Sequence, residues 1–286
     1  MNFCIKNSFK IIADNPHIML LLVTYLLAFS GLLSAGIFFA GKPVFTVMLV
    51  LIFLLTCAFI AGWLGMIKYL LLSEETDNQE EILKNKYKSF SIGFFSSVAN
   101  YILPVLFFIV LFMFFIKGII SLTDTVFNGS QELFGQIGTL IGDKDALYNY
   151  ISTLPEDKLI AVIKINLFIY SCILSYLLLT FYAIPATFFN EKSSNPLLGL
   201  KNGLIAFFKK PLQTLGLFLF LLLIHTILVF FEGISVINQI LMFIALVLRV
   251  SFITYIVVLI FSVYEKNFAH NCNNGSDGVG ENKSCN

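Results

Sequence analysis

The sequence predicts an all-α polytopic membrane bundle of six transmembrane helices with three interfacial amphipathic helices. Composition is the first observation behind this. Of 286 residues, 58% are apolar and 12% charged, against roughly 45–50% and about 25% in soluble domains. With mean hydropathy at +0.89, there is too little polar surface to cover a water-facing globule. A soluble enzyme, a nucleic-acid-binding module and a disordered chain are excluded. The second observation is six apolar stretches, each meeting the roughly 20 residues that a bilayer core demands. The third is a basic segment that recurs ahead of the spans. The net charge of +1 gives no bulk pointer to a partner.

The spans are expected near 17–40, 44–70, 98–122, 159–189, 212–234 and 237–264. The first exceeds a signal-peptide apolar region and five more follow, so it is read as an uncleaved helix. Lysine and arginine in the loops set orientation. One side carries twelve lysines (among them Lys6, Lys10, Lys68, Lys84, Lys88, Lys201, Lys209 and Lys210) and the other five. The richer side is assigned to the cytoplasm, which puts both termini there, in a cell (plasma) membrane. Residues 267–286, rich in Asn, Gly and Ser, are expected to be a disordered cytoplasmic tail.

The recurring segment reads KNSFKIIADNP at 6–16 and KNGLIAFFKKP at 201–211. Each starts Lys-Asn and reaches Pro ten residues later, at Pro16 and Pro211. Each then enters a span. A third copy, EILKNKYKSFSIGFF at 81–95, precedes the third span. Leu83, Tyr87, Phe90 and Phe94 form its apolar stripe, with Lys84 and Lys88 opposite. Ile5, Phe9 and Ile12 do the same against Lys6 and Lys10. In the last copy the stripe is Leu197, Leu200, Leu204 and Phe208, flanked by Lys201, Lys209 and Lys210. Basic amphipathic helices of this kind lie in the interface plane, lysines toward anionic headgroups. Proline makes the corner, because its fixed φ suits the first turn of the next helix. The expected architecture is threefold, each unit an interfacial helix followed by a transmembrane hairpin.

Segment 123–158 is the sizeable outer loop. Leu133, Ile137, Leu140 and Ile141 suggest a short amphipathic helix within it. Thr153-x-x-Glu156 reads as a capping box, with Pro155 in the first turn of the fourth helix. Pro104 and Pro185 lie inside spans and are expected to kink them. Ala61-x-x-x-Gly65 and Gly31-x-x-x-Ala35 are small-residue packing faces.

Ionisable groups inside a membrane are functional hypotheses. Arg249 and His225 fall at similar depth on adjacent spans and form a candidate polar pocket able to take an anion or a headgroup. The alternative is a single arginine that snorkels. Counted along the helix, Glu232 falls too near the outer surface to be level with Arg249. No catalytic, cofactor or metal set is expected. The three His are far apart, the five Cys are scattered, and no hydrolase, P-loop or dinucleotide motif is present in the right context.

The stretch from Tyr182-Ala-Ile-Pro185 through Glu191, then Asn195-Pro196 to Pro211, resembles a superfamily of prokaryotic (bacterial) six-helix membrane proteins. That group includes the membrane domain of glycerophosphoryl diester phosphodiesterases. Asn15-Pro16 is similar too. The resemblance implies the six-helix fold. It implies no phosphodiesterase activity, because the soluble domain is absent from this sequence. The expected function is that of a non-enzymatic integral membrane protein, scaffold, regulator or membrane organiser. It would act through lipid or partner-protein contacts, with a protein partner or a second copy as the protein choices and no nucleic acid. The alternative is a permease or transporter subunit paired with a cytoplasmic ATPase.

Overall fold

The structure, a computed structural model, describes residues 2–37, 39–40, 42–73, 87–127, 144–190, 193–235 and 238–269. The chain is a multi-pass all-α membrane protein, with no strand among the described residues. Helix α1 is Asn2–Asp14, α2 His17–Ile37 and α3 Pro43–Leu72. A π-helical turn, Ser89–Phe94, runs into α4, Phe95–Val126. Then come α5 (Lys144–Thr153), α6 (Glu156–Leu179), α7 (Ala183–Phe188), α8 (Pro196–Lys209), α9 (Pro211–Ser235) and α10 (Gln239–Tyr264). A second π-helical turn, Glu265–Ala269, extends α10. The six segments long and apolar enough to cross a membrane are His17–Gly36, Pro43–Leu72, Ser89–Val126, Glu156–Phe188, Pro211–Ser235 and Ile240–Phe268.

Two corners are made by proline as expected. Pro211 opens α9, and Lys210 accepts the first-turn bond from Thr214 N. Pro16 opens the turn into α2, while Asn15 Nδ2 closes α1 by donating to the Ile11 carbonyl at 2.9 Å. Asn195 caps α8, its side chain accepting from Leu197 N, with Pro196 following.

Several expectations are corrected. The third span begins at Ser89, not 98, because the described part of the third copy runs into α4 without a corner. No proline interrupts it there, whereas Pro104 sits inside the unbroken α4. The fourth span does break. A turn at Thr180–Tyr182 separates α6 from α7, placed where Pro185 lacks a donor and its ring opposes the carbonyl of Phe181. Thr153 is not the cap of α6. It ends α5, and its hydroxyl donates to the Tyr150 carbonyl, so Pro155 supplies the first acceptor, to Leu159 N. The sixth span continues past 264, so Asn267 and Phe268 belong to the packed structure and not to a tail. Lys84 and the expected helix at 133–141 lie outside the described residues, as do 270–286.

The chain forms two compact units. Residues 108–179 make the smaller one, where Phe115 stacks on Tyr176 at 4.2 Å and Phe127 meets Phe168 edge-on at 5.8 Å. The larger one comprises residues 1–107 and 180–286 and is organised around α10. α10 touches α1, α2, α3, α7 and α9. In the sixth span 39% of the apolar window is buried, against 11–17% in the other five.

Burial in the larger unit is polarised along the helix axes. In α3, residues 61–67 are all buried, whereas in 43–60 only Ile52 and Cys57 are. Apart from Ala245, the buried side chains of α10 lie from Val250 onward, those of α9 include Thr214, Leu217 and Leu221, and those of α2 include Ile18 and Leu22. These are the ends near α1, α8 and their lysines. Small residues allow this close approach. A Cβ on Gly65 would fall 2.7 Å from the Gly93 carbonyl oxygen, and one on Gly203 would fall 2.7 Å from the Ala183 nitrogen. The Ala61/Gly65 face therefore packs, against the π-helical turn and Ser97. The Gly31/Ala35 face does not. A Cβ on Gly31 would meet nothing among the described residues within 4 Å, and both residues are exposed.

Candidate functional site

Two features of the larger unit hold the residues singled out from sequence. The first is the short helix α8. Its Gly199, Gly203 and Ala206 are buried against α7, where Ala183 and Thr187 lie. Gly199 and Gly203 are four apart and on one helical face. That small-residue face sets which way the rest of the helix looks. Leu197, Ile205 and Phe208 are uncovered, and Lys201 and Lys209 are exposed beside them. Leu200 and Leu204 are half-buried. Lys210 is engaged differently, donating to Asn267 Oδ1 at 2.8 Å with its ammonium 5.8 Å from the Phe268 ring centroid.

Helix α1 uses its faces differently. Cys4 and Ser8 are its most buried side chains, and Ile5 and Ile12 pack with Cys4 into the core around Tyr182, Tyr255 and Leu259. Phe9 is exposed yet rests on Tyr255, ring centroids 4.5 Å apart. The expected Ile5–Phe9–Ile12 stripe thus serves partly as a protein contact. Lys6 and Lys10 are exposed on α1, and Lys88 is exposed ahead of α4.

The second feature is the charged cluster on the α9–α10 hairpin. Arg249 Nε donates to Glu232 Oε1 at 2.8 Å and Nη2 to Oε2 at 3.0 Å. Its Nη1 lies 2.9 Å from His225 Nδ1. Arginine only donates, so Nδ1 accepts and the ring hydrogen sits on Nε2. The structure brings Arg249 and His225 together and adds Glu232, which the depth count had set apart. Counted from the connecting turn, the two Cα positions differ by eight residues, about 12 Å of axis. Side chains lean toward the N-terminus of their own helix. In an antiparallel hairpin Arg249 therefore leans toward the connecting turn and Glu232 away from it, and the two meet. The pairing neutralises the arginine within the chain. An anion pocket built on a free guanidinium charge is not the arrangement present. Arg249 and Glu232 keep 29% and 32% side-chain exposure, and His225 is exposed.

A third polar node escaped the sequence reading. Lys68 Nζ donates to the Phe188 carbonyl at 2.6 Å and to Tyr101 Oη at 3.3 Å. Tyr101 Oη donates to the same carbonyl at 3.0 Å, and its ring stacks on Phe188 at 4.1 Å. The ammonium also faces the Phe189 ring at 5.9 Å. This joins α3, α4 and the C-terminal end of α7, where a cation complements the last carbonyls. The signal available was a lysine four residues inside the end of an otherwise apolar helix. In the sequence it counts only as one of the lysines that set orientation.

No family model, curated protein or solved structure matches the chain.

Proposed function

We propose that the chain is a non-enzymatic multi-pass membrane protein that works through contacts with bilayer lipids or partner proteins. In this reading α8 lies in the headgroup region of the cytoplasmic face of a plasma membrane, and both termini lie on that side. The observation that carries it is the two-faced packing of α8. Its glycine face is locked onto α7, while Leu197, Ile205 and Phe208 stay uncovered beside Lys201 and Lys209. An uncovered apolar face rimmed by lysine suits an interface of acyl chains and anionic headgroups. Membership in the six-helix prokaryotic superfamily belongs to the same proposal and rests on the Tyr182–Glu191 and Asn195–Pro211 motifs.

The test is lipid selectivity of the whole chain. Purified from membranes of mixed composition, the wild type should carry anionic lipid above its bulk share. The Lys201→Gln/Lys209→Gln protein should lose most of that enrichment, since each lysine near such a surface contributes about 1 kcal/mol. Equal lipid profiles for the two proteins would end the reading.

The Arg249–Glu232–His225 cluster favours a second reading, a permease subunit paired with a cytoplasmic ATPase, because charges at span depth mark transport paths. Recovery of a stoichiometric ATPase with the tagged protein from native membranes would select it.

A further inference from the structure

We infer that the larger unit binds one acyl chain of a phospholipid in a groove between α2, α3 and the beginning of the third span. The groove has a volume of about 410 Å³. Tyr25, Leu32, Ile52, Phe59, Phe94 and Val98 are among its lining residues. Tyr25 and Phe59 are stacked, ring centroids 3.9 Å apart and 8° from parallel, and Phe59 meets Phe94 edge-on at 6.2 Å. Tyr25 is the one lining residue with a polar side chain, and its hydroxyl is spent on Thr56 Oγ1 at 2.7 Å. No other side chain among the described lining residues offers water a partner, and a void there would forfeit dispersion contacts on every wall.

Size and chemistry choose the occupant. Apolar cavities of roughly 150 Å³ hold benzene, so this groove accepts on the order of three times that hydrocarbon. That suits one alkyl chain. It does not suit a helix, whose diameter with side chains is about 10–12 Å. Along α2 the lining runs from Tyr25 to Leu32, and along α3 from Phe59 back to Ile52, about 10 Å of axis on each. Phe94 and Phe95 lie at the other end, in the first turns of the third span, and the exposed Lys88 precedes them. A phospholipid with its chain laid along this aromatic wall therefore places its phosphate at the Lys88 end, where charge is complementary. The aromatic walls recognise the chain, and Lys88 favours the headgroup end.

This site is separate from the α8 surface, since Lys201 and Lys209 do not line it. The test is native mass spectrometry of the full chain during graded detergent delipidation. The wild type should release one phospholipid per chain last. Ala28 and Ala58 are the smallest lining side chains, and phenylalanine at either fills the groove. Ala58→Phe and Ala28→Phe should each cut occupancy of that last lipid at least tenfold. Lys201→Gln/Lys209→Gln should leave it unchanged, so loss of the α8 reading does not remove this one. Trp63 is the single tryptophan, is buried and donates to the Ile18 carbonyl at 3.1 Å, so its emission reports packing of α2 on α3. If Ala58→Phe shifts that emission, Ala28→Phe decides, because Ala28 is exposed. Retention of the last lipid by a filled variant with unshifted emission would overturn the inference. So would a last-released ligand that is a free fatty acid.

Discussion

The two ends of the spans in the larger unit solve the same problem differently. At the end bearing α1 and α8, helices approach through Gly65, Gly93, Gly199 and Gly203, and the cation Lys68 is tied to a backbone carbonyl and aromatic faces. At the far end the helices bury little, and the cation Arg249 is held by a carboxylate on a surface that stays partly open. One end gains its cohesion from protein packing. The other meets hydrocarbon, where apolar side chains gain little by leaving lipid for protein. A bundle built this way has a firm base and a compliant far half, so glycine substitutions should have opposite consequences at the two ends.

The largest expected effect is at the packed end. In Gly203→Leu the new Cβ alone would sit 2.7 Å from the Ala183 nitrogen, a contact with backbone that a neighbouring side chain cannot relieve. Overpacking of this kind, extended by three more carbons, should cost about 4 kcal/mol or more. The measurement is the denaturant midpoint followed by Trp63 emission, alongside folded yield. A midpoint within error of wild type would mean that the α7–α8 contact does not carry the packed end.

Next in size is the far-end ion pair. Glu232→Ala strands Arg249 at span depth, and removal of one partner of a buried pair costs about 3–5 kcal/mol. With roughly a third of each side chain exposed, the lower figure is expected. The double replacement Glu232→Leu/Arg249→Leu should recover most of the loss, because a neutral apolar pair suits lipid. If the double variant is as unstable as the single one, the cluster contributes more than mutual neutralisation, which would favour the transport reading.

Lys68→Met should follow, at about 2 kcal/mol, the range for a hydrogen bond from a charged donor. Tyr101 keeps its own bond to the Phe188 carbonyl in that variant, which limits the loss. Tyr101→Phe in the Lys68→Met background then removes the last of these two donors. A double-mutant cycle should return a coupling of about 1 kcal/mol. Strict additivity would show that the two groups act independently on the carbonyl.

What the sequence revealed and what it hid divide along this same line. Span length and apolar content are local properties, so all six spans were legible, as were the proline corners at Pro16 and Pro211. The Lys84–Lys88 copy looks like a separate helix in sequence because its stripe has helical period. Without a proline, nothing makes its described part turn before α4. Position along the axis separates Glu232 from Arg249, and side-chain lean, which closes the gap, does not appear in sequence spacing. Lys68 looked like any flanking lysine, since its partners come from Phe188 and Tyr101, 120 and 33 residues away. Gly199-x-x-x-Gly203 was visible but lay inside a motif already explained by its leucines and lysines.

The smallest effect tests the far half directly. Gly31 lies inside α2, is exposed, and a Cβ there meets nothing within 4 Å. Its sequence partner Ala35 is exposed as well, so the spacing creates no contact among the described residues. Gly31→Ala should therefore stabilise by about 0.4–1 kcal/mol, through lower backbone entropy in the unfolded chain and better helix propensity. Gly65→Ala, by the same substitution at the packed end, should destabilise, because its Cβ would overlap Ser97 and crowd the Gly93 carbonyl. The sign difference between these two variants is the sharpest form of the comparison. If Gly31→Ala instead destabilises in membranes yet not in dilute detergent, another copy or a partner covers that face in the bilayer. The far half would then be an assembly surface instead of a lipid-facing one.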